Sequence, residues 1–162
     1  MKKLGNLVED SWIEGIGKGN TLYNAISGAP IASASTDGID ISSIYEFARS
    51  TGGYALRRMT FQERGIMLKK LALHLHSIKD KFYEVSAATG ATKTDSWIDI
   101  EGGIGNLFAN ASLRRKLPDT SFAVDGDFIP LSKEGTFGGH HILVPKEGVA
   151  VHINAYNFPI WG

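Results

Sequence analysis

The residues of this chain that could do chemistry lie near its carboxyl end, at Asn157-Phe158-Pro159. Pro159 suits the first position of a helix, where its missing N–H removes no hydrogen bond. Val149-Ala150-Val151 is apolar without alternation, which is typical of a strand covered on both faces. Asn157 is therefore predicted to lie in the loop at the carboxyl end of a strand, where open α/β sheets bind ligands. Its amide can stabilise a developing oxyanion, or it can simply cap the helix.

The remaining polar side chains limit the chemistry available to these residues. The 162 residues contain no cysteine, which excludes disulfides, thiolate metal sites and a cysteine nucleophile within them. His74 and His76 are two apart on a predicted helix, so they face different directions. His140 and His141 are adjacent on a predicted strand and point to opposite faces. The sequence therefore predicts no metal site.

Composition and charge exclude several classes of partner. Lysine plus arginine number 17 and aspartate plus glutamate number 17, so nucleic acid and anionic membranes are not expected partners. No apolar run approaches the length of a membrane span. Met1-Lys2-Lys3 is not followed by the apolar segment that a signal peptide needs. We expect a cytoplasmic protein with one domain and a sizeable core.

Helices are predicted before the Asn-Phe-Pro turn. Apolar residues at helical spacing indicate helices at about 40–51, 60–78, 81–88 and 95–111. The first is expected to begin at the cap Asp40 and to end at Gly52-Gly53. Thr60 and Glu63 form a capping box at the start of the second. One apolar face of that helix is predicted to hold Met67, Leu71, Leu75 and Ile78. Glycines within 102–105 weaken the prediction of the fourth helix.

Strands are predicted on either side of these helices, so the fold class is mixed α/β. Residues 1–38 are rich in turns and suit short strands. Gly15-Ile16-Gly17-Lys18-Gly19 is interpreted as a hairpin turn, because a phosphate loop needs an apolar strand before it and a helix after it. Asp125-Gly126 predicts another hairpin turn, with strands at about 128–131 and 140–144.

Residues 148–159 resemble the aldehyde dehydrogenase superfamily, whose motif reads roughly Gly-Val-x-x-x-Ile-x-Pro-Trp-Asn-Phe-Pro. Weaker similarity covers nearly the whole chain, including Trp12, Ala48-Arg49, Gln62-Glu63-Arg64 and Thr89-Gly90. The chain departs from the family at Ala91, where a lysine is usual, and at Ala155-Tyr156, where Pro-Trp is usual. With these departures, residues 151–159 look most like the dehydrogenase half of the bifunctional enzymes of phenylacetic acid degradation.

The resemblance implies the amino-terminal part of the aldehyde dehydrogenase fold. Residues 1–120 would form an arm and helices of the cofactor domain, and 121–146 the antiparallel strands used for oligomerisation. Residues 147–162 would form the first strand of the dinucleotide-binding sheet and the catalytic turn. In the family the cysteine nucleophile, the glutamate base and a cofactor-binding lysine follow this turn. We therefore expect a fragment that is inactive alone, from a parent that forms a homo-oligomer.

The resemblance also implies a reaction, the oxidation of a coenzyme A-linked semialdehyde to the acid in aerobic phenylacetate degradation, with NADP or NAD. Asn157 would be the oxyanion-hole side chain. The residues implied to line the cofactor are Ile153, Asn154, Ala155 and Tyr156. Arg114-Arg115-Lys116 is a candidate contact for a coenzyme A phosphate. The alternatives are a benzoyl-coenzyme A-pathway or general aldehyde dehydrogenase, and a non-catalytic assembly or binding module derived from one.

Overall fold

A computed structural model describes all 162 residues as a mixed α/β fold, which confirms the predicted fold class. Seven strands form three small sheets. The strands are β1 Lys2–Leu4, β2 Asn6–Val8, β3 Ser11–Ile13, β4 Asn20–Tyr23, β5 Pro30–Ala34, β6 Ala123–Pro130 and β7 Gly138–Leu143. In the first sheet β5 pairs in parallel with β1 and antiparallel with β4, while β2–β3 and β6–β7 are separate antiparallel pairs.

Helices occupy the middle of the chain. They are α1 Ile41–Phe47, α2 Gly53–Arg58, α3 Phe61–Ser77, α4 Asp80–Ala88 and α5 Lys93–Ser112. A π-helical turn, Ala48–Gly52, joins α1 to α2, and a 3₁₀ turn, Leu113–Lys116, follows α5. None of the helices combines the length and apolarity needed to cross a membrane.

The first predicted helix begins as expected but does not end at Gly52-Gly53. The carboxylate of Asp40 accepts a hydrogen bond from the backbone N–H of Ser43 at 3.1 Å, so the predicted cap is confirmed. The helical backbone then continues to Arg58. A glycine ends a helix when it takes a positive φ, whereas Gly52 and Gly53 have φ values of −64° and −62°.

The start of α3 confirms the predicted capping box. The hydroxyl of Thr60 accepts from the Glu63 N–H at 3.2 Å, and the Glu63 carboxylate accepts from the Thr60 N–H at 2.8 Å. The predicted apolar face is only partly right, because Met67 and Leu71 are 42% and 45% exposed. The fully buried residues of α3 are the small ones, Gly65 and Ala72. Small side chains on this face let α3 lie close to α5.

The hydrophobic core lies between α3 and α5. Ala72, Ile100 and Ile104 are 0–2% exposed and form its centre. The flanking residues are Leu75, Phe82, Tyr83, Leu107, Phe108 and Ile160. Ile160 comes from the carboxyl-terminal segment, so the end of the chain packs against the core of α3, α4 and α5, which together form the helical layer.

The sequence Asp125-Gly126 does not form the hairpin turn that was predicted for it. Gly126 has a φ of +74° inside β6, and the register to β7 shifts between Asp125 and Ile129. The Asp-Gly pair therefore makes a bulge, another position where a glycine in the left-handed region is favoured. The connection between the two strands is the longer segment 131–137.

The final strand predicted at Val149-Ala150-Val151 is not formed. These residues have no regular secondary structure, and none of the seven strands pairs with them. Val151 is 80% exposed and Ile153 is 93% exposed. An apolar strand of this kind is stable only when neighbouring strands satisfy its backbone and helices cover its faces.

Candidate active site

The Asn-Phe-Pro turn lies beside the helical layer, next to α4 and β4. Tyr156 and Asn157 line one side of an open groove of about 700 Å³. The opposite side is largely apolar and includes Leu22, Tyr23, Ile31, Val85 and Ala88. Asn157 is exposed, so its side-chain amide is accessible from this groove.

A second groove brings two separate family-like stretches together. Thr89, Gly90 and Ala91 line it with Asn157 and Phe158. Gly90 follows α4 with a φ of +89°, which reverses the chain before α5. The sequence resemblance includes both stretches, and the structure shows that they border one groove.

The turn is fixed to α5 through backbone hydrogen bonds. The N–H groups of Ile160 and Trp161 donate to Oδ1 of Asp99 at 3.2 Å and 2.7 Å. Asp99 is only 1% exposed, and its second oxygen, Oδ2, is buried without a hydrogen-bond partner. Bonds from N–H groups to a buried carboxylate are among the stronger hydrogen bonds of proteins. Asp99 was not predicted from the sequence. The one indication was that an acidic residue lies between apolar residues of a predicted helix.

Glycines on α5 let the turn approach the helix closely. A Cβ added to Gly102 would overlap the ring of Trp161, and one added to Gly103 would lie 2.9 Å from the Trp161 Cα. Because both positions lack a side chain, Trp161 can rest directly on α5. The glycines that weakened the helix prediction are thus compatible with a continuous helix, and two of them have a packing function.

The candidate cofactor residues lie on an exposed and unpaired stretch of backbone. Ile153 and Tyr156 are 93% and 100% exposed. The backbone N–H and C=O groups of Ile153, Asn154, Ala155 and Tyr156 make no hydrogen bonds within the chain. These groups are free to contact a ligand, and their role in cofactor binding stays a prediction.

Other candidate residues are not brought to this turn. The structure contains no group of three or more histidine, aspartate or glutamate side chains that could hold a metal ion. His140 packs edge-on against Phe128, with ring centroids 5.4 Å apart. The guanidinium of Arg114 donates to the Ala111 carbonyl at 2.6 Å, so this member of the basic cluster is engaged by its own helix end.

Two basic groups have shifted pKa values, and neither lines the turn. A hydrogen bond to Glu101 raises the pKa of Lys79 above its ordinary value. A hydrogen bond to Glu46 similarly raises the pKa of Arg49. Both shifts favour the charged form, as expected for a cation next to a carboxylate.

Comparison with known proteins identifies the class to which this fold and turn belong. Residues 12–161 match the family model described as the aldehyde dehydrogenase family, and the chain belongs to that family. The chain is also 38% identical, over 161 residues, to a 3,4-dehydroadipyl-CoA semialdehyde dehydrogenase of Aromatoleum evansii. That alignment covers 99% of this chain and 31% of the relative, so the chain spans about a third of the relative's length.

Proposed function

We propose that these residues form the amino-terminal part of an NAD(P)-dependent aldehyde dehydrogenase that oxidises a coenzyme A-linked semialdehyde to its acid. Family membership supports the class of reaction. The name of the Aromatoleum evansii relative supports a semialdehyde linked to coenzyme A as the substrate. The observation that carries the proposal is the exposed Asn157 amide on a turn fixed to the buried Asp99.

In this proposal Asn157 donates a hydrogen bond from its side-chain amide to the aldehyde oxygen as negative charge develops there. One donor of this kind typically contributes about 3–4 kcal/mol to lowering the barrier. The donor must already be in place before the reaction, because reorientation during the reaction would cancel part of the gain. The anchored residues 160–161 provide that fixed geometry.

The cofactor that we propose is NADP or NAD, which accepts the hydride when it is bound. Its binding stretch would be Ile153, Asn154, Ala155 and Tyr156. Unpaired backbone groups suit a polar dinucleotide, since they can donate and accept hydrogen bonds without changing the chain's own pairing. Ala155 and Tyr156 replace the usual Pro-Trp, so we expect the contacts to be mainly through the backbone.

We further propose phenylacetate degradation as the pathway and a homo-oligomer as the assembly. The sheet formed by β6 and β7 has two strands, so each strand has an unpaired edge that can pair with another subunit. Light scattering after gel filtration of the full-length enzyme tests the assembly: a monomer would contradict it.

The reaction is tested by assaying the full-length enzyme with a coenzyme A-linked semialdehyde and with the corresponding free semialdehyde, using NADP and NAD in turn. We expect a higher kcat/KM for the coenzyme A-linked substrate. Equal values would favour a general aldehyde dehydrogenase. The 162-residue chain should be inactive in the same assay, since it contains no cysteine nucleophile. Aldehyde turnover by that chain would contradict the proposal that the nucleophile and the general base are supplied by residues outside these 162.

A second candidate is a non-catalytic assembly or binding module derived from an aldehyde dehydrogenase. The anchored Asn-Phe-Pro turn argues against it, because a scaffold does not need a fixed oxyanion donor. Absence of nicotinamide reduction by the full-length protein with every aldehyde tested would favour this second candidate.

A further inference from the structure

We propose that Asp99 is a positioning residue that supplies, from α5, the amino-terminal cap for the catalytic turn. The proposal rests on the proposed function, because it assigns Asp99 a part in holding Asn157 for aldehyde oxidation. Asp99 lines neither of the two grooves that Asn157 borders. It acts through the backbone of Ile160 and Trp161.

No side chain of the turn itself caps it, and Asn157 accepts no hydrogen bond from its backbone N–H groups. The first N–H groups of a helical turn have no partner within the turn, and a serine, threonine, aspartate or asparagine just before it usually accepts from them. Here Pro159 has no N–H, and the preceding Phe158 has no side-chain acceptor. The next two N–H groups, those of Ile160 and Trp161, both donate to the same Asp99 oxygen. Asp99 therefore takes the role of a cap from a different helix, about sixty residues away along the chain.

The connection from this cap to Asn157 is short and stiff. Asn157 is three residues before Ile160, and Pro159 fixes one backbone angle between them. Ile160 packs against the core, and Gly103 lets the backbone of Trp161 lie against α5. A displacement of residues 160–161 is therefore passed to the Asn157 amide. A misplacement of about 1 Å in a catalytic group can reduce the rate about 100-fold.

The other oxygen of Asp99 supports a role beyond helix packing. Oδ2 is buried and accepts no hydrogen bond. A buried acceptor without a donor lowers stability, so a carboxylate at this position is unfavourable for the helical layer on its own. Residues that break a packing rule in this way tend to be found at functional sites. The two hydrogen bonds that Asp99 accepts from the turn account for a carboxylate at this position.

The test combines Asp99→Ala, which removes the acceptor, with Asp99→Asn, which keeps one acceptor oxygen. Glu101→Gln is the matched control, because it changes a carboxylate to an amide on α5 and contacts Lys79 instead of the turn. The first readout is amide hydrogen exchange at Ile160 and Trp161 in the full-length enzyme, followed by mass spectrometry of the peptides that contain them. Since loss of a cap changes a folding equilibrium roughly 5- to 30-fold, we expect exchange to accelerate by that factor in Asp99→Ala.

The second readout is the steady-state kinetics of the full-length enzyme. We expect Asp99→Ala to lower kcat by up to about 100-fold with little change in the aldehyde KM, because the turn is displaced while substrate still binds. Asp99→Asn should recover a large part of both losses. Glu101→Gln should change neither the exchange at residues 160–161 nor the balance between kcat and KM.

Unchanged exchange at Ile160 and Trp161 in Asp99→Ala would overturn the inference, and so would a kcat equal to that of Glu101→Gln. If Asp99→Ala does not fold by circular dichroism, Gly103→Ala takes its place, since its added Cβ displaces the Trp161 backbone and leaves the carboxylate intact. It should accelerate the same two exchanges. Accelerated exchange in a full-length protein without dehydrogenase activity would support the cap and overturn only the proposed function.

Discussion

The helical layer and the segment 149–158 contain similar apolar residues, which are buried in the first and exposed in the second. Ile100 and Ile104 on α5 are 0% and 2% exposed, whereas Ile153 in the segment is 93% exposed. The difference lies in the partners: α3 and α4 cover α5, but no strand pairs with the segment. An apolar pattern therefore shows what a segment can bury, and burial itself depends on which elements lie beside it.

The comparison also explains how the proposed site can be both accessible and fixed. The turn joins the two regions, with Asn157 exposed on one side and Ile160 packed in the core on the other. A donor on a loop is accurate only when a rigid element holds it. Here that element is α5, which contacts the turn through Asp99 and its glycines.

The largest expected effect comes from replacing isoleucine by alanine once in each region and comparing the loss in free energy of unfolding. Ile100→Ala removes a fully buried side chain and should lower the free energy of unfolding by about 2–5 kcal/mol. Ile153→Ala, its matched control, should change it by less than about 0.5 kcal/mol because that side chain is exposed. Urea unfolding followed by circular dichroism measures both. Similar losses in the free energy of unfolding for the two variants would contradict the difference between the two regions.

A smaller effect is expected where the regions meet. Gly103→Ala should raise helix propensity, but its Cβ would lie 2.9 Å from the Trp161 Cα and 3.2 Å from the Ile160 carbonyl oxygen. We expect a net loss of stability, since the turn must move away from α5. Gly105→Ala meets no atom within 4 Å and should stabilise the chain by about 0.5–1 kcal/mol. Thermal unfolding compares the two, and a stabilising Gly103→Ala would disprove the close approach.

The smallest effect concerns the ion pair between Lys79 and Glu101 within the helical layer. The hydrogen bond to Glu101 raises the pKa of Lys79 above 10.5, so the folded protein holds this proton more tightly than the unfolded chain does. The stabilisation is fully present below the ordinary lysine pKa and is lost as the pH rises through the raised value.

Lys79→Met should therefore reduce the fall in Tm with pH in the alkaline range, and Lys81→Met, a change at an exposed lysine, should not. Melting curves at several alkaline pH values provide the measurement. The same alkaline slope in Lys79→Met and in the parent chain would show that the pair contributes nothing.

Features set by neighbouring residues could be predicted from the sequence. The Thr60–Glu63 capping box and the Asp40 cap each depend on groups three residues apart, and both are confirmed. The strand predicted at about 140–144 corresponds to β7, and the one predicted at about 128–131 corresponds to the second half of β6, because apolar and β-branched residues favour extended backbone. The mixed α/β class followed from the same local patterns, whereas family membership was expected from the resemblance of residues 148–159 to the family's motif and is shown by the match over residues 12–161.

Features set by distant contacts could not be predicted in this way. The bond between Asp99 and the turn joins residues far apart in the sequence, and a lone aspartate in a helix has no local signature for it. Asp125-Gly126 was read as a turn because a glycine with positive φ serves turns and bulges alike, and only the pairing of β6 with β7 distinguishes them. The strand predicted at 149–151 is not formed for the same reason, because a strand depends on neighbouring strands that pair with it.

The most direct test of the account is the kcat of Asn157→Ala in the full-length enzyme, measured with a coenzyme A-linked semialdehyde. Asn110→Ala is the control, because its side chain is exposed on α5 and bonds only to Asn106. We predict that Asn157→Ala lowers kcat about 100- to 1,000-fold, with the KM values for aldehyde and cofactor little changed. A kcat equal to that of Asn110→Ala would contradict the assignment of Asn157 as the oxyanion donor.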